Sequence, residues 1–425
     1  MALPQQKIDM AETLLSRHST NDATGWATLA RTEAAARLRS MGAPVRRDEY
    51  WRYTDPSALT GAVAAATALT SDAFTGVDAL RVVFVDGALA PDLSDPLAME
   101  GVEIASLADA MAADIHWASG LFGVLEGGEH HRTPRPLAAL NTAVASQGLC
   151  IRVTGTPVRP IVIDQRRTDG TVDAVLHHVI KVEAGAEVTI LEIGDAGART
   201  NTCMEIDVAA NARLHHLRAQ GPGMDRIAAT HVFARLGADC VYKSFTLSVD
   251  GALTRNEHVI QMNGDDAKAH VAGAVIGDGK MVHDDTVFVT HDALRCESRQ
   301  VYKKVLKSGA RGVFQGKIWV KAGAQKTDGY QISQALLLTD DTEFDAKPEL
   351  EIYADDVICS HGSTVGAADE TQLFYLRSRG VSLEAAQGMI VLAFLAQALE
   401  EIENEALSEE IRASIAMWAL GGAEL

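Results

Sequence analysis

The chain has 425 residues, enough to bury a large core. Its 38 Lys and Arg against 57 Asp and Glu give a net charge of −19, which repels nucleic-acid phosphates and anionic membrane surfaces, so neither is expected as a partner. The opening residues lack a secretory-signal pattern, and the longest strongly apolar run, Met389 to Ala396, is too short to span a bilayer. Cys150, Cys203, Cys240, Cys296 and Cys359 are scattered, with no CxxC pair, and read as reduced thiols of a cytoplasmic protein.

In chain order, Trp26 to Met41 is rich in Ala, Leu and Arg and reads as a helix stopped by Gly42 and Pro44. Arg46 to Tyr53 mixes charges with aromatics, a composition that anchors a helix edge through cation–π contacts more readily than it binds a ligand. Arg81 to Val85 reads as a strand and Asp86-Gly87 as its turn. Gly127 to Pro136 reads as an exposed loop, and its His130-His131 pair as a surface feature rather than a metal site. A short helix is expected from Leu137 to Gln147, closed by Gly148.

The pattern then changes. From Cys150 to about Val365 short β-branched strands follow one another, with inward pairs such as Ile180 and Val182, or Val188 and Ile190, at period two. Turn signals at Gly185, Asn211, Gly237, Gly251, Gly264 and Gly277 are spaced by 26, 26, 14, 13 and 13 residues. The 32-residue gap from Gly277 to Gly309 suggests an insertion. A step near 13 fits a stacked coil with two main strands per turn, in which each coil buries its inward side chains against its neighbours. A large β-sandwich is the competing architecture.

Helices return after Gly380. Ser382 reads as an N-cap with Glu384 in the first turn, and Met389, Ile390, Ala393 and Phe394 as an apolar stripe. A further helix is expected to start near Ser408, with Ile411, Ile415 and Trp418 on one face and Gly421-Gly422 at its end. These stripes could pack on each other or meet an external partner.

The densest chemical signal is Glu349 to Gly362. Cys359 and His361 are two apart, so in a strand both project from one face. Three readings stand: a thiolate and imidazole offered to zinc, iron or an iron–sulfur species, with too few ligands to close a site alone; a nucleophile and base, for which adjacent placement gives poor geometry; and a buried cysteine beside a hydrogen-bonded histidine.

Phe314 to Val320, Ala324 to Gln331, Leu336 to Leu338, Lys347 to Ile352, Cys359 to Gly366 and Leu373 to Gly380 together resemble the SufB/SufD family over some seventy nearly continuous residues. Tyr50 to Tyr53 and Leu140 to Ala143 extend a weaker similarity. Two departures resemble the SufD branch: Cys359-Ser360-His361-Gly362 stands where SufB-like chains carry a Glu-His-Glu-type run, and Ala393-Phe394-Leu395 stands where they place a cysteine. The resemblance implies a mainly β fold, a right-handed parallel β-helix flanked by helical regions, divided as 1–149, 150–370 and 371–425. It also implies a non-catalytic scaffold that pairs with a SufB-like subunit through the β-helix and with a SufC-like ATPase through the C-terminal helices. His361, with Cys359 nearby, would meet a transient iron–sulfur cluster at the subunit interface, none being held tightly by the isolated chain, which could form a homodimer. No GxxxxGK[ST] pattern is present, so ATP chemistry is expected in a partner. The alternatives are a SufB-like homodimeric scaffold, a purely structural partner without a ligand, and a β-helix enzyme acting on carbohydrate or acyl substrates.

Overall fold

The computed structural model describes residues 3–18, 25–128 and 133–419. Gly421-Gly422 and the His130-His131 pair lie outside them.

Two ten-stranded sheets dominate. In spatial order the first contains β2 (Ala88–Leu89), β1 (Leu80–Val85), β6 (Ile161–Arg166), β8 (Glu187–Gly194), β10 (Arg213–Gln220), β12 (Val241–Val249), β14 (Lys268–Asp278), β16 (Glu297–Lys307), β18 (Asp328–Leu337) and β20 (Ile358–Ala367). The second runs β19 (Glu343–Ile352), β17 (Arg311–Val320), β15 (Val282–His291), β13 (Leu253–Met262), β11 (Ile227–Leu236), β9 (Arg199–Val208), β7 (Asp173–Val182), β5 (Leu149–Val153), β4 (Val102–Ser106) and β3 (Ala98–Met99). From β5 onward consecutive strands alternate between the sheets, and every sheet neighbour in this stretch is parallel and one coil away. That is a β-solenoid. The antiparallel Greek-key sandwich is excluded, because its sequential strands pair with reversed direction.

The register gives the coil length. Glu187, Arg213, Val241, Lys268, Glu297, Asp328 and Ile358 occupy one column, so the coil lengthens from 26 residues at its first step to 30 at its last. The long gap after Gly277 is therefore one ordinary coil and contains no insertion. Gly277 itself lies within β14, against the Met281 side chain, and is not a turn residue. One corner of each coil is set by a residue with positive φ: Asn211 (59°), Asp239 (55°), Asp266 (59°), Arg295 (55°) and Lys326 (60°). Each donates its backbone N–H to the next coil, as Asn211 does to Ala238 O at 2.8 Å. Asn and Asp tolerate this conformation best, so the turn at Gly237-Ala238 actually pivots on Asp239.

Strand parity separates three cores. Ile190, Leu214, Tyr242, Val271, Val232 and Ile260 point into the coil. Leu191, Leu217 and Phe245 point out of the first sheet and are covered by α7 (Leu383–Leu399) and α8 (Glu405–Ala419) through Val391, Leu395, Ile411 and Ile415. Val179, Phe233, Val259 and Leu253 point out of the second sheet, beneath α1 (Gln5–Ser16), α2 (Gly25–Met41), the short helices α3 (Ser57–Thr60) and α4 (Leu107–Ala112), and α5 (Pro136–Val144). Strands buried on both faces read as nearly continuous apolar runs, which is why alternation in the sequence is weak.

The helices differ from expectation in three places. α6 (Glu370–Arg377) begins ten residues before Gly380, capped by Asp369. α8 starts at Glu405, where the Asn404 side chain accepts from Leu407 N at 3.1 Å, so Ser408 lies inside the helix. In α7 the buried stripe is Ala386, Val391, Leu395 and Ala398, whereas Met389 is exposed. Ser382 does cap α7, accepting from Ala385 N at 3.1 Å.

Candidate functional site

The two sheets end differently. At the C-terminal end β19 and β20 are each ten residues long, and among the described residues no strand pairs with their outer edges. Such an edge offers a row of backbone donors and acceptors to another chain. β19 contains Pro348, which removes one donor, as edge strands commonly do. β20 has no proline, and Ile358 (73% exposed) and Val365 (54% exposed) stand on its surface.

Cys359 and His361 lie on β20, in register with Gly329 and Gln331 of β18. Both follow the inward parity. Cys359 is half-buried among Ile318, Val320, Ala324 and Ala354 at the last coil. Its sulfur reaches over Gly329, where a Cβ would lie 3.2 Å from Sγ. His361 is exposed, because no further coil covers it. The side chains thus share a face at the open end, as their spacing requires, with Cys359 half-buried and His361 exposed. Burial raises the Cys359 thiol above its ordinary range, so it is protonated at neutral pH. Burial also raises Cys150 and Cys240 to about 12, Cys296 to about 11 and Cys203 well upward, and all four are enclosed. Cys359 alone among the five is even partly accessible. Among the described residues no group of three or more His, Cys, Asp or Glu is gathered for a metal.

The aromatic segment at 49–53 packs beside the final coils. The Tyr50 hydroxyl donates to Glu349 Oε2 at 2.7 Å, the Lys347 ammonium lies 4.0 Å from the Tyr50 ring centroid, and Arg255 stacks 4.1 Å over Trp51. Arg255 in turn pairs with Glu257 and Asp284, and Thr54 donates to Asp284 at 2.5 Å. This is the anchoring role expected of that composition.

A second surface is formed where α6 meets α7. Leu336, Ala367, Leu376, Met389, Ile390 and Phe394 line an open groove of about 740 Å³. The neighbouring Phe374 and Tyr375 are 74% and 55% exposed. The stripe legible in the sequence lines this groove: Met389 and Ala393 are exposed in it, while Ile390 and Phe394 also pack against the core beneath α7.

What sequence reasoning missed is the polar interior of the coil. Glu192 accepts from Arg218 Nε at 2.9 Å and pairs with His216 at 3.3 Å, and Lys304 bonds Asp285 at 2.6 Å. All five side chains point inward and are nearly fully buried. The signal was their parity within strands, visible only once strand limits are fixed.

The architecture is a two-sheet β-solenoid with helices on both outer faces, ending in an edge that carries a thiol and an imidazole. Residues 165–394 match the SUF system FeS cluster assembly SufBD core domain. The chain is 33% identical over 406 residues to the iron–sulfur cluster assembly protein SufD of Escherichia coli (strain K12), covering 91% of this chain and 92% of that protein. It is 25% identical over 415 residues to a SufBD family protein of Synechocystis sp., covering 90% and 89%. It is also 26% identical to SufD of Bacillus subtilis (strain 168) over 288 residues, 65% of each chain. The chain belongs to the SufB/SufD family. Within that family it is a SufD-like subunit of SUF iron–sulfur cluster assembly.

Proposed function

We propose that this chain is a non-catalytic, cytoplasmic scaffold subunit that pairs edge to edge with a SufB-like partner, and that His361, with Cys359, contacts a nascent iron–sulfur cluster held between the two. The observation that carries this reading is the exposure of His361 on β20, the last strand of its sheet, whose outer edge has no partner among the described residues. A thiol and an imidazole suit iron and sulfide chemistry, and two ligands are too few to close a site, so the remaining ligands come from the partner. Backbone pairing along β20 supplies the association and holds the two ligand sets in register.

A SufC-like ATPase fits the groove between α6 and α7, where aromatic and aliphatic side chains are exposed. α7 packs on β14 and β16, and Lys303 of β16 lies 4.6 Å from the Phe394 ring centroid. Movement of the ATPase would therefore act on the first sheet and open the interface at β20. The divisions 1–149, 150–370 and 371–425 correspond in this scheme to a brace, the cluster-presenting solenoid and the ATPase dock. Without a SufB-like partner the same edge is available to a second copy, so the isolated chain would dimerise.

The test is His361→Ala in the complex reconstituted anaerobically with SufB-like and SufC-like subunits. Iron and sulfide content should fall by about tenfold, the order seen when residues around a metal are lost, while complex mass is unchanged. Unchanged iron and sulfide would remove His361 from the site.

A further inference from the structure

The end face at His361 continues inward. In register with His361 is Gln331 of β18, and in register with Gln331 is Gln300 of β16. Both glutamines are 0% exposed. Neither the nitrogen nor the oxygen of either amide has a hydrogen-bond partner within the protein. Ser298, the adjacent inward residue of β16, lies 2.8 Å from Nε2 of His291, whose Nδ1 is likewise unpartnered. Space for the Gln331 amide is provided by Gly316, where a Cβ would lie 2.5 Å from the amide nitrogen. The glycine is needed for room, since any larger residue would displace the glutamine. One rung further in the column closes on Val271.

Four buried amide atoms without partners would each cost about 1–3 kcal/mol if dry. An apolar side chain of the same volume would cost nothing of the kind. Polar atoms clustered on neighbouring rungs are what ordered water requires, each molecule needing two to four partners. With rungs about 4.8 Å apart, the two below His361 carry polar side chains over a depth of roughly 10 Å.

We infer that the Cys359–His361 site is the mouth of a short hydrated shaft lined by Gln331 and Gln300, and that Gln331 is a positioning residue for the His361 imidazole, acting through a shared water. This deepens the reading of His361 given above and rests on it for its relevance to cluster chemistry. The partner reaches the imidazole from outside the coil, while the water reaches it from within. A hydrogen bond to one ring nitrogen fixes which nitrogen is left to bind a metal.

The shaft is tested on the full chain alone, without iron. A high-resolution crystal structure should show ordered water within hydrogen-bond distance of both the Gln331 amide and a His361 ring nitrogen. Gln331→Met should change the ratio of the two neutral His361 tautomers, read from imidazole 15N shifts, by at least about twofold. Gln331→Asn, which keeps an amide, should recover part of that change. If the two amides instead bond each other with no water between them, or if Gln331→Met stabilises the fold and leaves the tautomer ratio unmoved, the shaft is wrong. Should Gln331→Met not fold, Gln300→Met and the water positions of the unaltered chain decide in the same terms. Water in the shaft together with unchanged iron in the His361→Ala complex would leave the shaft standing and remove the cluster reading, whereas the reverse pair would do the opposite.

Discussion

The two ends of the solenoid solve the same physical problem in opposite ways. Every sheet must finish on a strand with unpaired backbone groups. At the N-terminal end the last strands are β2 and β3, two residues each, joined antiparallel to β1 and β4. Edges this short offer little to pair with. At the C-terminal end the last strands are ten residues long, parallel and open. The difference separates a short, closed-off end from a long edge that is free among the described residues, and Cys359 and His361 stand at the second.

The comparison can be broken by substitutions that treat covered and open surfaces as equivalent. Trp51 is 4% exposed, between the N-terminal region and Arg255 on the covered face of the second sheet. Trp51→Ala should destabilise the fold by about 3–5 kcal/mol, measured by urea denaturation; a loss below about 1 kcal/mol would mean that the N-terminal region is not a structural brace.

The covered coils should also be acid-labile. Burial pushes His258 down to about 3 and His178 and His291 down to about 4. Below the unfolded value of about 6.5 the unfolded chain binds protons that the folded chain refuses. Stability from these groups is therefore complete above about pH 6.5 and declines as pH falls toward 4, by about 1.4 kcal/mol per pH unit for each histidine. Denaturation midpoints at pH 7 and pH 5 check this, and equal midpoints would contradict the buried neutral state.

At the open end the expectation reverses. The double substitution Ile358→Lys and Val365→Lys should leave stability of the isolated chain within about 0.5 kcal/mol. It should weaken association with the SufB-like partner about 10- to 100-fold, since edge charges oppose strand addition and the apolar contacts are lost. Calorimetry with the purified partner distinguishes this from an edge that carries no contact, for which affinity would not change. Smallest in its effect on structure is His361→Ala, which should touch neither stability nor assembly and lower only iron and sulfide content.

Much of this was legible in the sequence because parity and turn spacing are local. Cys359 and His361 two residues apart in a strand must share a face, and they do. Arg81 to Val85 reads as a strand and lies within β1, which ends at Asp86-Gly87, both with positive φ. Ser382 is followed by a helix whose Ala385 N–H it accepts. Other readings failed where the deciding neighbour is remote. The stripe of Met389, Ile390, Ala393 and Phe394 has helical spacing, but α7 buries the adjacent stripe because the first sheet lies on that side. Gly277 resembles a turn glycine, yet lies within β14, next to its last residue and against Met281.

By itself, then, the sequence determined the succession of strands, the helical ends, the shared face of Cys359 and His361 and the family resemblance, since each depends on residues within a few positions of one another. Only the tertiary structure decided that this face lies on the last coil, that the other four cysteines are enclosed, and that Gln331 and Gln300 lie buried without protein partners beneath His361. The reason is stacking: each rung brings together residues about 30 positions apart, and burial is set by whether another rung follows.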